Sequence, residues 1–323
     1  MIKFWTKSPG TGGRVLHEED FVVDEIPLKK FFAKFSRKPE GVEPVKGPYS
    51  LALLKKKGMT TKDAISFVSR ELGIPIESIG YAGLKDKLAL TSQYLTIKGN
   101  VKEIRSGNLE LSFVGFTDKF MQVGELEGNH FAITLSCTKP ENAERVITEL
   151  KTRGMPNFFG PQRFGIYGNN HVIGRLILLR DFKKAVDLIS KQKHDIGSIR
   201  EVNKRKLKFY IHAYQSFLFN SLLEKYMSGS KPFFEDLPII GFGTKLNGAF
   251  GEEVRKLLKK EKIGLEDFYV RELGMKAVGS FRRAFVKIEK FSFEISGNAL
   301  RLDFELPKGS YATVLIAEVS KSK

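Results

Sequence analysis

Residues 80–94 read Gly-Tyr-Ala-Gly-Leu-Lys-Asp-Lys-Leu-Ala-Leu-Thr-Ser-Gln-Tyr and combine an acid, cations, glycines and a strand pattern. Asp86 lies between Lys85 and Lys87, and a nearby positive charge favours the ionised form of a carboxylate. The alternation that begins at Thr91 predicts a strand. We therefore expect Asp86 as a candidate buried carboxylate in a loop that leads into a sheet, where a rigid base can present a catalytic group. The alternative is a solvated turn in which Asp86 bonds its own backbone.

Charge and composition narrow the class of protein. The 323 residues suffice for two domains, and the formal net charge of +17 predicts a polyanionic partner, with nucleic acid as the first candidate. The single cysteine, Cys137, excludes an intrachain disulfide and a cysteine-rich zinc site. The start of the chain lacks a signal-peptide core, and no apolar run approaches the length of a membrane span. We expect a cytoplasmic protein without a structural metal.

Strand patterns dominate the first half of the chain. Strands are predicted at 21–26, 49–56, 109–116, 121–126 and 131–137. A helix is predicted from Thr60 or Thr61 to Leu72, and a second from a capping box at Thr138 to Arg153. Residues 28–48, rich in Lys, Pro and Gly, predict a mobile basic loop.

Helical patterns replace strand patterns after residue 165. Helices are predicted at 181–192, 208–227 and 251–261. Strands return at 284–295 and 300–306 around the turn Ser-Gly-Asn, followed by a last apolar strand that ends at Val319. The predicted fold class is α+β, with a mixed, largely antiparallel sheet flanked by helices. Residues 1–165 and 277–323 would form this domain, and 166–276 a mainly helical insertion.

Two further segments each have two interpretations. Residues 155–165, Met-Pro-Asn-Phe-Phe-Gly-Pro-Gln-Arg-Phe-Gly, would either stack on a base and pair with a phosphate or anchor a loop in the core. The basic run 204–208 is either a solvated helix face or a phosphate contact. Tyr214 and Phe217 recur at helical spacing and are predicted to lie in the core.

The chain resembles the tRNA pseudouridine synthase D (TruD) family nearly from end to end. Residues 83–93 resemble the family motif Gly-x-Lys-Asp-x-x-Ala-x-Thr-x-Gln, and residues 20–25 are similar to Asp-Phe-x-Val-x-Glu. Four more segments match in the same order: 128–131, 156–165, 213–217 and 306–313. Two small departures are Pro161, where the family commonly has Glu, and Val15 beside Arg14, where relatives often have Lys.

The resemblance implies a pseudouridine-synthase-type catalytic domain interrupted by a TRUD-type insertion. It implies isomerisation of uridine to pseudouridine in tRNA, most often at position 13, with no cofactor. The bond from C1′ to N1 would break, the uracil would turn while held, and C5 would bond to C1′. The expected partner is tRNA, without a membrane or an obligatory protein partner.

The resemblance also implies roles for particular side chains. Asp86 would be the nucleophile. The predicted substrate-binding residues are Phe21, Asn129, Tyr311, Phe131, Lys85, Arg163 and Glu25. Lys85, Arg163 and Arg14 are all candidates for the cation that keeps Asp86 ionised. For Phe131 the alternative to substrate binding is a place in the hydrophobic core.

Two other functions share parts of this pattern. A non-catalytic RNA chaperone or RNA-binding module would have the same charge and aromatic residues, but it has no need of an ionised Asp86. An RNA methyltransferase usually needs a Gly-rich strand–loop–helix for its methyl donor. Residues 10–13, Gly-Thr-Gly-Gly, lack the spacing of a phosphate-binding loop. The resemblance to the family is what favours a pseudouridine synthase.

Overall fold

A computed structural model describes residues 4–32, 47–192, 196–227 and 235–322. The chain divides into two compact units, each assembled from separate segments of sequence. The first contains Met1–Lys7, Thr152–Lys287 and Ser310–Glu318, and the second contains Ser8–Lys151, Ile288–Gly309 and Val319–Lys323. Most of the predicted basic loop 28–48 lies outside the described residues. The domain boundaries at 165/166 and 276/277 stay a prediction.

The bounds of the strands and helices follow chain order. The strands are β1 (Phe21–Pro27), β2 (Tyr49–Lys56), β3 (Ile79–Tyr81), β4 (Leu90–Lys98), β5 (Ile104–Ser106), β6 (Leu109–Thr117), β7 (Leu126–Ser136), β8 (Met155–Pro156), β9 (Asp236–Ile239), β10 (Tyr269–Val270), β11 (Met275–Lys276), β12 (Ser280–Arg283), β13 (Phe285–Val286), β14 (Glu289–Ser296) and β15 (Ala299–Pro307). The helices are α1 (Thr61–Leu72), α2 (Ala143–Arg153), α3 (Asn170–Leu178), α4 (Phe182–Ser190), α5 (Lys204–Tyr226), α6 (Gly248–Glu261) and α7 (Ala312–Ser320).

A nine-stranded sheet forms the second unit. Its order is β14-β15-β7-β1-β4-β2-β6-β5, with β3 paired to β4. The pair β1–β4 is parallel and the other pairs are antiparallel, so the predicted α+β fold with a mixed, largely antiparallel sheet is confirmed. The register places Val23 opposite Thr91 and Phe131, and Glu25 opposite Asn129. Because opposed residues project to one face, these side chains line a single face of the sheet.

Helix α1 covers part of that face. It forms because its sequence has an N-cap, an apolar stripe and a C-terminal glycine, and its apolar stripe packs on the sheet. Thr60 caps it and forms a reciprocal capping box with Asp63, and Gly73 ends it with φ +64°. The buried stripe Ala64, Ile65 and Val68 belongs to one core with the inner residues of β2 and β4. The first helical residue, Thr61, is thereby fixed beside the loop between β3 and β4.

Helices α3 to α6 share a core in the first unit. That core contains Tyr214 at 0% exposure and has Phe217 packed against it, which confirms the predicted core role of both residues. Asn203 caps α5 by accepting a hydrogen bond from the backbone of Arg205. Short two-strand ribbons, β9–β12, β8–β13 and β10–β11, accompany the helices. Within the four described segments, no helix has both the length and the apolar character of a membrane span.

Three local expectations are wrong. Residues 121–125 form a turn rather than a strand, in which the amide of Met121 donates to Thr96 Oγ1 at 2.8 Å. The helix expected from Thr138 begins at Ala143, because a 3₁₀ turn led by Pro140 precedes it. The last apolar segment is helix α7 and not a strand, since periodicity alone does not distinguish a helix from a strand in a short apolar run. The hairpin of β14 and β15 is confirmed, with Gly297 at φ +57° in its turn.

Candidate active site

Asp86 lies in the loop between β3 and β4, as predicted, but its side chain is exposed. Its Oδ1 accepts a hydrogen bond from the backbone amide of Lys87 at 2.6 Å, the local bond that the turn interpretation predicted. The expectation of a buried carboxylate is wrong here because the loop protrudes: Leu84 and Leu88 are 61% and 67% exposed. An incoming molecule therefore has direct access to the Asp86 carboxylate.

Lys56, at the end of β2, holds this loop from below. Its Nζ donates to the backbone carbonyl of Asp86 at 3.0 Å and to that of Met59 at 2.6 Å. The Lys56 side chain is 1% exposed. Burial lowers its pKa from 10.5 to about 8, and the negative charge of Asp86 opposes that fall. A buried cation therefore lies close beneath the loop that carries the candidate nucleophile.

Sequence reasoning missed Lys56, although the sequence contains a signal for it. Ser50, Ala52 and Leu54 form the buried stripe of β2, and Lys56 continues the same alternation. A lysine on the buried face of a strand costs free energy unless its charge is paired or bonded. Such a residue is a candidate for a functional site.

Lys85 is directed away from Asp86 and joins two other predicted site residues. Its Nζ lies 3.1 Å from Glu25 Oε2 and also donates to Asn129 Oδ1. The side chains of Lys85 and Glu25 are 6% and 0% exposed. Burial raises the pKa of Glu25 and lowers that of Lys85, and their mutual attraction opposes both shifts. The structure thus brings together the buried Glu25 and Lys85 and the half-buried Asn129 as one polar chain.

Hydrogen bonds from α1 and β4 hold residues 83–85 against this polar chain. A Cβ at Gly83 would lie 2.6 Å from Glu25 Oε2 and 3.1 Å from Lys85 Nζ, so a side chain there would displace the ends of both charged groups. Thr61 Oγ1 accepts from the amide of Lys85 at 2.8 Å and donates to Gln93 Oε1 at 2.9 Å. Gln93 Nε2 in turn donates to the Gly83 carbonyl at 3.2 Å. Helix α1 and strand β4 together fix both ends of residues 83–85.

Aromatic rings lie on the same face of the sheet. Phe21 is half-buried, and its ring meets the edge of Phe131 at a centroid distance of 6.3 Å. Phe131 is only 6% exposed and stacks on Phe304 at 5.3 Å. Phe21 can thus offer a face to a ligand, whereas Phe131 supports it from the core, which was the alternative for Phe131.

The opposite face of the sheet has its own charged group. His130 Nε2 lies 2.9 Å from Asp303 Oδ1, and His130 Nδ1 lies 3.6 Å from Asp24 Oδ2. Burial by itself would lower the pKa of His130, but the hydrogen bonds and charges of Asp303 and Asp24 outweigh it and raise the pKa above 6.5. Because Asp24 and Glu25 are successive residues of β1, this group and the Glu25–Lys85 pair lie on opposite faces.

Arg163 and Tyr311 belong to the first unit. Arg163 Nε donates to Ser216 Oγ at 3.0 Å, and its guanidinium lies 5.3 Å from the ring centroid of Phe159. The Phe159 ring also meets that of Tyr311 at 6.1 Å. Phe159 is 8% exposed and belongs to a local core, so the anchoring interpretation of the 155–165 loop is confirmed for that ring. Arg14, the third candidate cation, is exposed in the second unit, and its backbone pairs with Ser136.

Arg282 is a second side chain that sequence reasoning missed. Its Nε donates to the backbone carbonyl of Asn157 at 2.9 Å, and its Nη2 donates to the side-chain oxygen of Asn157 at 2.6 Å. Its guanidinium lies 4.2 Å from the Phe159 ring centroid and 5.9 Å from that of Tyr311. Burial lowers the pKa of Arg282 to about 10. No local pattern distinguishes it from the exposed neighbour Arg283.

The comparisons with known proteins agree with these motifs. The family described as tRNA pseudouridine synthase D (TruD) matches residues 1–196 and 229–319. A tRNA pseudouridine synthase D from Anaeromyxobacter sp. (strain Fw109-5) is 32% identical over 97% of this chain and 94% of its own length. One from Aquifex aeolicus (strain VF5) is 31% identical over 93% of this chain and 98% of its own.

A solved structure extends the agreement to the fold. The crystal structure of a tRNA pseudouridine synthase D (TruD) from Methanosarcina mazei superposes with a TM-score of 0.76 at 24% identity, covering 99% of this chain and 96% of that one. The likeness of the folds accompanies sequence matches that span nearly the whole chain. This chain belongs to the tRNA pseudouridine synthase D family.

Proposed function

We propose that this protein isomerises uridine to pseudouridine in tRNA, at position 13, with Asp86 as the nucleophile and without a cofactor. Membership of the family supports the reaction class. The observation that carries the site assignment is the fixed loop: an exposed carboxylate at Asp86 above a buried cation at Lys56. An ionised carboxylate that a target nucleotide can reach is what attack on C1′ requires.

Two neighbouring groups, the backbone amide of Lys87 and the ammonium of Lys56, act on Asp86 in different ways. The amide of Lys87 holds Oδ1 of Asp86, which orients the carboxylate. The ammonium group of Lys56 fixes the backbone of the loop and places a positive charge near the carboxylate. In the reaction a carboxylate oxygen of Asp86 bonds to C1′ as the C1′–N1 bond breaks, and this bond to Asp86 breaks again when C5 bonds to C1′. The proton lost from C5 is balanced by one gained at N1. The product is an isomer, so no electron donor or group donor is needed.

Asn129 is the proposed partner of the detached uracil. A lysine can only donate, so the Asn129 oxygen must face Lys85 and its NH₂ group is the part offered to a ligand. An NH₂ group can donate to a uracil carbonyl. Glu25 holds Lys85 and so fixes the orientation of this amide, which makes Glu25 and Lys85 positioning residues. Phe21 would stack on the base and contribute on the order of 1–3 kcal/mol.

Arg163 and Tyr311 remain proposed substrate-binding residues of the first unit. The Arg163 guanidinium is held by Ser216 and suits a phosphate, and Tyr311 presents an aromatic ring beside Phe159. With a net charge of +17, the protein should bind tRNA with an affinity that falls steeply as salt rises.

The test is conversion of an unmodified tRNA transcript, mapped by carbodiimide modification and primer extension. The wild type should give one stop at position 13, and a transcript with cytidine there should give none. Asp86→Asn should bind the transcript normally and convert nothing, while Asp187→Asn, which changes an exposed acid on α4, should convert like the wild type. Conversion by Asp86→Asn would refute the nucleophile. Binding without conversion by the wild type would instead indicate an RNA chaperone.

A further inference from the structure

A cavity of about 430 Å³ opens in the first unit, and no residue of the proposed active site lines it. Its walls come from the loop before α3 and the first residue of that helix, from Gln192 just after α4, and from the first turns of α5. The side chains that line it include Ile166, Tyr167, Asn170, Gln192, Lys206 and Phe209. The volume falls within the range of small-ligand sites, which is about 300–1,000 Å³.

The rim of the cavity is apolar and exposed. Ile166 is 95% exposed, Tyr167 is 52% exposed and Phe209 is 38% exposed. A group of large apolar side chains in contact with water usually marks a binding surface. Two of these three are aromatic rings, which provide flat faces for stacking.

The loop that carries Ile166 and Tyr167 has a defined shape. Gly165 has φ +79°, and a Cβ there would lie 2.6 Å from Asn170 Nδ2, so the turn is closed against the start of α3. The amide of Gly168 donates to the carbonyl of Gly165 at 2.9 Å. The aromatic rim is therefore held by hydrogen-bonded backbone, which lowers the entropy cost of binding.

Polar groups line the interior. Gln192 donates to Asn169 Oδ1 at 2.7 Å and accepts from the hydroxyl of Tyr210 at 3.4 Å. Asn170 is 7% exposed and also lines the cavity. Amide side chains of this kind can both donate to and accept from the edge of a base.

Two cations lie near the aromatic rings of the cavity. Lys206 lines the cavity within the basic run 204–208, and its Nζ lies 5.9 Å from the Tyr210 ring centroid. The guanidinium of Arg163 lies 5.7 Å from the ring centroid of Phe209. An apolar protein segment would gain little from this charge, whereas an RNA nucleotide offers a flat base to the rings and a phosphate to the cations.

We propose that this cavity binds an unstacked nucleotide of the RNA, other than the one that is isomerised. Tyr167 and Phe209 stack on its base, and Lys206 contacts its phosphate. The identity of the RNA rests on the proposed function. The binding site itself rests on the exposed aromatic rim, the amide-lined interior and the adjacent basic run.

Tryptophan fluorescence can report occupancy of the cavity without any turnover. Trp5 is the only tryptophan of the chain and is 4% exposed, so Phe209→Trp adds a reporter at the rim over a constant background. In the Asp86→Asn background, addition of an unmodified tRNA transcript should quench this reporter, because a stacked base quenches indole emission. The matched control is Phe281→Trp, which places the indole at a 71% exposed position outside the cavity lining.

The affinity of the protein for tRNA provides a second measurement. Tyr167→Ala and Phe209→Ala should each weaken tRNA binding by about tenfold, and Phe281→Ala should not. Lys206→Ala should reduce the slope of log affinity against log salt by about 0.7, the value for one phosphate contact on a single strand. Lys183→Ala removes an exposed lysine on α4 and should leave the slope unchanged.

The outcomes separate this inference from the proposed function. The cavity assignment is wrong if the indoles at 209 and 281 are quenched equally, or if the indole at 209 is not quenched while tRNA binds. Either result overturns it even if the wild type makes pseudouridine. Quenching at 209 that persists when the target uridine is replaced by cytidine supports a separate nucleotide. Failure of the wild type to make pseudouridine, together with specific quenching at 209, refutes the enzyme and retains the binding site.

Discussion

The ammonium group of Lys56 donates to the backbone carbonyl of Asp86 at 3.0 Å, across 30 residues of sequence. This bond ties the end of β2 to the loop that carries the proposed nucleophile. Lys56 is a positioning residue in this arrangement, because it acts on the loop and on the charge of Asp86 and does not contact the uridine.

Removal of the Lys56 charge should lower activity strongly. Lys56→Met should reduce kcat by on the order of 100-fold, because it removes one preorganised electrostatic contact of the site. Lys56→Arg keeps a permanent charge and should recover part of the rate. Single-turnover conversion of saturating tRNA measures this, and equal rates for Met and Arg would assign Lys56 a purely steric role.

The pH profile tests the same residue independently. The pKa of Lys56 is lowered to about 8, so the free enzyme loses this charge as the pH rises through that value. The wild-type kcat/KM should fall on the alkaline side near pH 8, and Lys56→Arg should lack that fall because arginine stays charged. An unchanged alkaline limb in Lys56→Arg would exclude Lys56 as its source.

Breaking the buried pair of Lys85 and Glu25 should destabilise the protein. Lys85→Met leaves the Glu25 carboxylate buried and unpaired, at an expected cost of about 3–5 kcal/mol. The double variant Lys85→Met with Glu25→Gln should recover much of that loss, since no lone charge remains. The exposed pair of Arg105 and Glu110 provides the control, and Arg105→Met should cost less than about 1 kcal/mol. Urea unfolding of the wild type and these three variants measures the differences.

The contact of Arg282 with the Phe159 ring should stabilise the first unit. Arg282→Lys loses the paired bonds to Asn157 and the planar contact with Phe159, and we expect a loss of about 1–2 kcal/mol in unfolding free energy. If Tyr311 binds the substrate, tRNA affinity should fall as well. The neighbouring Arg283→Lys, at an exposed position, should change neither quantity.

The charged group at His130 should make stability depend on pH. The pKa of His130 is raised in the folded protein, so the folded state binds the proton more tightly than the unfolded state. Its contribution is complete below the unfolded pKa of about 6.5 and disappears as the pH rises through the folded pKa. A double-mutant cycle of His130→Gln and Asp303→Asn, followed by urea unfolding, should give a coupling energy that declines with rising pH. A coupling energy that is constant with pH contradicts the proposed ion pair.

The sequence predicted the strands and the position of Asp86 where a local pattern determines them. Alternation located β1, β2 and β4, and the cap and stop residues located α1. Lys56 and Arg282 were missed because their partners, Asp86 and Asn157, lie 30 and 125 residues away in the chain. Contacts of that kind follow from sheet order and packing, which local spacing does not encode. The exposure of Asp86 was missed for the same reason, as it depends on how far the loop protrudes.

The place of β15 in the sheet has a consequence for synthesis on the ribosome. This strand lies between β14 and β7, yet residues 137–298 are translated between β7 and β15. Until they emerge, β7 presents an open hydrogen-bonding edge, and such an edge can pair with other nascent chains. A stop codon before residue 299 should therefore yield an aggregating product, and the need for chaperones during expression should be greatest in the interval between the synthesis of β7 and that of β15.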